Sequence, residues 1–512
     1  FGQTIEYADL ALSPTPQGLA LTMFPAQPAA PADLPLVLDL YRTILDTPEM
    51  DGDTDFFEAG GTSLNAIRLV ARLRRGLGQE VPADIVHGGR TARGVAALIA
   101  QGNCAAGTAP GSTVDLGPQL QLQTDEAPQA SPGEQQLWLE NELGGQATAY
   151  VMQAAIKLKL PNAEEALGAA FGMLAERHPV LRTAYTSGDT GSEVEILSAG
   201  VPTITNRTVG RYETLDDLVR ATAQGDAALS FRIDRGKTSR LSFVETADGD
   251  GVLILSLHHI VSDNTSLGLI LGDLIALLTS GTLGDAPKAN YRAYAQWRER
   301  RMQATADGQI AYWQRRLAVP PSPLAVPLDR PRTRDHSPVG GSVPFRIDKT
   351  LTNAAASLAR RNGGSIQNVL VAAYTIFLHR LTGAGDLIFG IPVSDRPEGF
   401  DDVAGYFLNT LPLRVKIAGG ETGEMLLQQI RDTMAELLSH ADQPLARIVE
   451  ATNPERFEGR TPLLQTVLDW REGNPQLDDL VADEQPQPEA YPLDVATAPF
   501  DLALSLSGQE DG

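Results

Sequence analysis

Cysteine is almost absent from this sequence, with a single residue, Cys104, among 512. An internal disulfide framework is therefore excluded, and the usage fits a reducing cytoplasm. Positive charge is also in short supply: 41 Lys and Arg stand against 64 Asp and Glu, a net charge of −23. That balance excludes nucleic acid or anionic lipid as the main ligand. Long apolar runs are missing too, and residues 369–378 reach about half of the roughly 20 residues a membrane helix needs. The first residues carry no basic n-region, so no signal peptide is expected and the chain reads as a fragment of a longer one. A hydrophobic content of 42% supports large buried cores, and the length allows about three globular units.

Residues 1–31 end in a Pro/Ala-rich stretch and read as a tail or linker. Over residues 32–102 the period is helical, through Val37, Leu40, Tyr41 and Ile44, then Leu64, Ile67, Leu69, Val70 and Leu73. A short piece at Ile85 and Val86 and a last run at 95–99 complete an expected small four-helix bundle. Between the first two helices, Asp55-Phe56-Phe57-Glu58-Ala59-Gly60-Gly61-Thr62-Ser63-Leu64 places two glycines ahead of Ser63. The chain can turn sharply there and Ser63 opens a helix, where by itself it would serve only as an N-cap. Residues 103–128, rich in Gly, Ala, Pro, Gln and Thr, form a linker. Cys104 lies in it without a His or carboxylate cluster and is read as incidental.

From Ser131 onward helices and strands alternate, which predicts an α/β (α+β) architecture of two lobes, 129–325 and 326–512, joined by a Pro- and Arg-rich crossover at 329–340. Residues 252–257 read as a buried strand running into His258-His259-Ile260-Val261-Ser262-Asp263-Asn264. Adjacent histidines at a strand end face opposite sides, so only one reaches a given cavity. An imidazole held there suits proton transfer or amine positioning near neutral pH. A solvated pair, or a metal site of His258, His259 and Asp263, is the alternative. Histidines on opposite faces rarely chelate one ion, and no metal is expected.

The Asp55–Leu64 string resembles the phosphopantetheine attachment motif of peptidyl carrier domains. The double-histidine segment resembles the signature of condensation domains of nonribosomal peptide synthetases, with Asn264 where the family has Gly. Further segments keep the family's order: Arg177-His178-Pro179-Val180-Leu181-Arg182-Thr183, Tyr291-Arg292-Ala293-Tyr294-Ala295-Gln296-Trp297, Gly405-Tyr406-Phe407-Leu408-Asn409-Thr410, and Asp442-Gln443-Pro444. Glu134 and Gln136 stand where Gln and Arg are common.

The resemblance implies 4′-phosphopantetheine covalently on Ser63 and a pair of acetyltransferase-like lobes forming a V, with the chain stopping short of a full domain. The implied activity is amide formation, in which the amine of an aminoacyl thioester on a downstream carrier attacks an aminoacyl or peptidyl donor thioester. His259 would position that amine, with proton removal second, and His258 would be structural. Asp263 would pair with Arg396, Asn264 would keep a left-handed turn with its backbone on the oxyanion side, and Asn409 would orient backbone near the site. Arg182 and Trp297 are read as scaffold. Implied partners are an upstream adenylation domain, the downstream carrier and a phosphopantetheinyl transferase, in the cytoplasm, with no nucleic acid or membrane. The donor is expected to be L or achiral, since Thr62 is not the Asp often seen in carriers serving an epimerisation domain. Rivals are a degenerate condensation-like platform that recruits partner proteins, supported by Asn264 and Glu134, an epimerisation-type domain, and a free acyl-CoA acyltransferase.

Overall fold

The computed structural model describes residues 33–45, 47–61, 63–77, 81, 85–100, 128–142, 150–188, 191–200, 202–210, 214–247, 250–328, 340–457, 460–471, 488–493 and 500–508. The expected tail at 1–31, most of the linker, Cys104, Thr62 and the crossover at 329–339 lie outside them. The chain divides into two compact units, residues 1–107 and 108–512.

The described part of the first unit is helical: α1 (Leu34–Leu45), α2 (Ser63–Leu77), the five-residue α3 (Ile85–Gly89) and α4 (Ala92–Ala100). Its core is built on Val37, Tyr41, Phe56, Leu69, Leu73, Val86 and Val95. The loop before α2 is held by charge and ring packing together. Asp55 Oδ1 accepts the backbone N–H of Phe57 at 2.9 Å, and Asp55 Oδ2 takes Arg90 Nε at 2.5 Å. Phe56 then packs edge-on against Tyr41 at 4.9 Å. Gly60 has a φ of +96°, and a Cβ on Gly61 would stand 2.4 Å from the Phe56 ring. Both glycines are thus required by the turn that opens α2 at Ser63.

In the second unit the chain runs α5 (Pro132–Glu142), β1 (Val151–Lys159), α6 (Ala163–Arg177), β2 (Thr183–Gly188), β3 (Gly191–Ile196), β4 (Thr203–Thr208), α7 (Leu215–Ala228), β5 (Ser239–Glu245), β6 (Asp250–His258), α8 (Asn264–Thr279) and α9 (Tyr291–Arg316). It continues through α10 (Lys349–Arg361), α11 (Ile366–Thr382), β7 (Asp386–Ser394), β8 (Leu408–Lys416), α12 (Gly423–Ser439), α13 (Leu445–Thr452), β9 (Thr466–Arg471), β10 (Glu489–Tyr491) and β11 (Leu502–Ser507). Two sheets form, ordered β10-β1-β6-β5-β4 and β11-β9-β7-β8, beside the β2-β3 hairpin. Strand β6 is central to its sheet and buried along nearly its whole length, which is why residues 252–257 read as a continuous apolar run rather than an alternating one.

The lobes do not separate at residues 325 and 326. Strand β10 returns from the second half to pair with β1, so Ala155 faces Tyr491, and it covers what would otherwise be an open sheet edge. Phe400, Val403, Ala404 and Phe407 also sit in the first lobe's core. Helix α9 begins in that core at Tyr291 and ends in the second one at Tyr312 and Trp313. The strand expected from Leu463 starts only at Thr466, because Leu463 adopts a φ of +63° and turns the chain.

Candidate active site at the junction of the two sheets

Strand β6 ends at His258, and a 3₁₀ turn, His259–Val261, follows. The His258 ring is 1% exposed and meets Phe231 edge-on at 5.7 Å. Its Nδ1 accepts the N–H of Ile260 at 3.0 Å. Burial, with smaller contributions from His259 and Arg240, pushes its pKa down to about 3, so this imidazole stays neutral. His259 turns the other way and lines a cavity of about 1620 Å³ between the sheets. Its Nδ1 lies 2.6 Å from the carbonyl oxygen of Ser262. A carbonyl only accepts, so Nδ1 carries the proton and Nε2 of the neutral ring is the accepting nitrogen. The ring stands edge-on to Tyr406 at 5.2 Å.

Asp263 does not face the cavity. It caps α8, with Oδ1 accepting the N–H of Ser266 at 2.7 Å and the Ser266 hydroxyl at 2.6 Å. Arg396 Nη2 donates to both carboxylate oxygens, at 3.1 and 3.2 Å, and the Phe407 N–H reaches Oδ2 at 3.3 Å. A carboxylate with both oxygens so occupied is a structural bolt, not a base. Arg396 continues to the carbonyls of Phe400 and Val403 and lies 3.9 Å over the Phe407 ring. The bolt joins the end of β6 to the segment between β7 and β8 and so sets where His259 stands relative to Tyr406. Among the described residues no group of three or more His, Cys, Asp or Glu side chains could hold a metal ion.

Two expectations, at Asn264 and Glu134, need correction. Asn264 is the first residue of α8 and has no positive φ, since the Asp263 cap supplies the geometry that glycine was expected to provide. It lines the cavity. Asn409 also lines the cavity, and its Nδ2 donates to the backbone carbonyls of Ala441 and Gln443, both at 2.9 Å. Glu134, expected as a departure near the site, is fully buried; it pairs with Arg292 and accepts the Tyr185 hydroxyl at 2.6 Å. The feature taken to support a degenerate platform is an internal ion pair. Arg182 is scaffold, donating from Nε to the Ala175 carbonyl at 3.1 Å, and Trp297 belongs to the first core.

Sequence reasoning missed the polar wall beside His259. Tyr406 lies inside one of the ordered segments, with nothing local to mark it; burial and then Glu140 push its phenol pKa up. Tyr150 accepts the His259 N–H on its carbonyl at 2.8 Å, and burial, then the charge of Glu140, raise the pKa of its phenol. Gln136 donates to Glu140 Oε1 at 3.1 Å. The available signal was the pair of polar residues one turn apart on α5, a helix packed against the histidine turn. A Cβ on Gly133 of that helix would fall 2.6 Å from the Tyr406 ring, so glycine permits the approach.

The two-sheet domain and the helical unit with its Gly-Gly turn each match a known family. The chain belongs to the condensation-domain family, whose model matches residues 129–512, and the phosphopantetheine attachment site model matches residues 35–99. The latter family carries 4′-phosphopantetheine covalently. Malpibaldin synthetase of Mortierella alpina is 28% identical over 92% of this chain, and a plipastatin synthase of Bacillus subtilis (strain 168) 29% identical over 92%. The chain spans only 8% and 18% of those two relatives. Among solved structures, the X-domain from teicoplanin biosynthesis superposes with a TM-score of 0.66 at 22% identity, covering 77% of this chain and 88% of that one. The first condensation domain of the calcium-dependent antibiotic synthetase, with a substrate analogue, gives 0.56 at 18%, covering 68% and 81%. These likenesses concern the fold. No described helix is long and apolar enough to cross a membrane.

Proposed function

We propose that this chain is part of a nonribosomal peptide synthetase in which the first unit carries a donor thioester and the second joins it to the amine of an aminoacyl thioester on a downstream carrier. The observation that carries the reading is the His259 imidazole, with Nδ1 tied to Ser262 and the ring on the wall of a cavity bounded by both sheets. Ser63, at the start of α2 behind Gly60 and Gly61, is the residue that would hold the phosphopantetheine, and a turn packed this closely on Phe56 fits a site gripped by a modifying enzyme. When bound, that group supplies a thioester, an acyl group already activated for attack.

His259 Nε2 receives the hydrogen bond of the attacking amine and aims its lone pair; it takes up the proton as the amide forms. An α-amine titrates near about pH 8, so a useful neutral fraction exists without a strong base, and placement contributes most. His258, held neutral and buried, fixes the turn. Asn264 lines the cavity with His259, and its backbone would face the carbonyl oxygen of the donor. An adenylation domain would load the donor, a phosphopantetheinyl transferase would modify Ser63, and the donor would be L or achiral. The test is condensation between the loaded chain and a loaded acceptor carrier, read by intact mass. His259→Ala should slow product formation by about two to four orders of magnitude; an unchanged rate would refute the assignment.

A further inference from the structure

The wall beside His259 holds one charge that the reaction does not use. Glu140, near the end of α5, lines the cavity with His259, Gln136, Tyr150 and Tyr406. Its carboxylate is held by a neutral amide, Gln136 Nε2 at 3.1 Å. No cation pairs with it among the described residues. Of the other charges that line the cavity, Arg298 pairs with Asp395, while Arg346, Asp469 and Asp501 have interactions of their own. Residues 141–149, which follow Glu140, carry no basic side chain. A half-buried carboxylate that shares its cavity wall with two phenols and is fixed by one neutral donor is built to receive a cation.

Two cations could arrive: the attacking ammonium or a charged side chain. A carboxylate in contact with the nucleophile would hold it protonated and deplete the reactive form. The productive occupant is therefore a group away from the reacting nitrogen. We propose that Glu140 is a specificity-determining residue that holds the positively charged side chain of one of the amino acids being joined. The inference rests on the functional reading above.

The test uses the holo full-length chain and two unreactive probes, ornithyl- and norleucyl-pantetheine amides, which differ in the side-chain charge. Binding is measured at low and high salt for the wild type and Glu140→Gln. The expected result is about tenfold tighter binding of the ornithyl probe by the wild type, weakened by salt. Glu140→Gln should abolish the difference while leaving norleucyl binding unchanged. Equal binding of both probes by the wild type, or equal weakening of both by Glu140→Gln, would overturn the proposal. Condensation run with ornithine on the chain's own carrier, and separately on the acceptor, identifies which substrate bears the charge; a rate preference in either arm that Glu140→Gln removes supports the assignment. Charge-selective binding without any peptide product would sink the condensation reading and leave the role of Glu140 standing.

Discussion

At the residue scale the two adjacent histidines divide their work by burial. His258 is sealed from water and has its pKa pushed down to about 3, while an exposed histidine titrates near about 6.5. The unfolded chain therefore binds a proton that the folded chain refuses, and stability falls as pH drops below the unfolded value. Between pH 7 and pH 5 this one ring should cost about 2 kcal/mol. His258→Asn, which does not titrate, should lose about that much less over the same interval in urea unfolding. All four tryptophans, Trp138, Trp297, Trp313 and Trp470, lie in the second unit, so their fluorescence reads it selectively. A wild type and variant with parallel pH profiles would contradict the account of the buried ring. Strand geometry alone made it legible that only one of the two faces the cavity, because neighbouring side chains must diverge; the choice of His259 came from the resemblance. Asp263 was legible as a structural partner only through the resemblance, since Arg396 is 133 residues away.

Single elements are joined here by contacts that are expensive to break one-sidedly. Removing the Asp263 carboxylate leaves the buried Arg396 charge without its partner, and Asp263→Ala should cost about 3–5 kcal/mol. Adding Arg396→Ala should cost much less than a second independent loss, a coupling read from urea midpoints of the four chains in the cycle. Helix α5 makes a different demand. Its Gly133 lies against Tyr406, and a methyl group there must displace a partly buried ring. Gly133→Ala should cost about 1–3 kcal/mol by overpacking and also lower the condensation rate, because Tyr406 is the ring against which His259 stands. Stability loss at an unchanged rate would show that the Tyr406 contact does not govern the imidazole. The element pattern was legible where it was strongly periodic: α1, α2 and β6 lie where the apolar residues put them. Strand β9 was not, since its apolar run extends into a turn at Leu463 whose left-handed backbone leaves no mark in hydropathy.

Across the whole molecule, the carrier unit and the condensing unit are separate chemical stations. Ser63→Ala should eliminate the mass gain of phosphopantetheinylation and all product formed from the chain's own carrier. The same variant should still condense a donor supplied as a soluble thioester, because His259 and its bolt lie in the other unit. Loss of both activities would mean that Ser63 supports the fold. The chain covers a small part of its curated relatives' length, so loading and acceptance fall to other domains in this reading.

The sequence by itself determined the two units, most helices and strands, and the motifs that mark Ser63 and His259, because periodicity, turn chemistry and short motifs are properties of neighbouring residues. Only the tertiary structure decided the use of Glu134 and Glu140, two like residues on one helix. The first is closed against Arg292, 158 positions along the chain, and the second faces the cavity with its charge uncompensated among the described residues. A side chain's environment is assembled from segments distant in sequence, and that environment sets whether a carboxylate is a strut or a site.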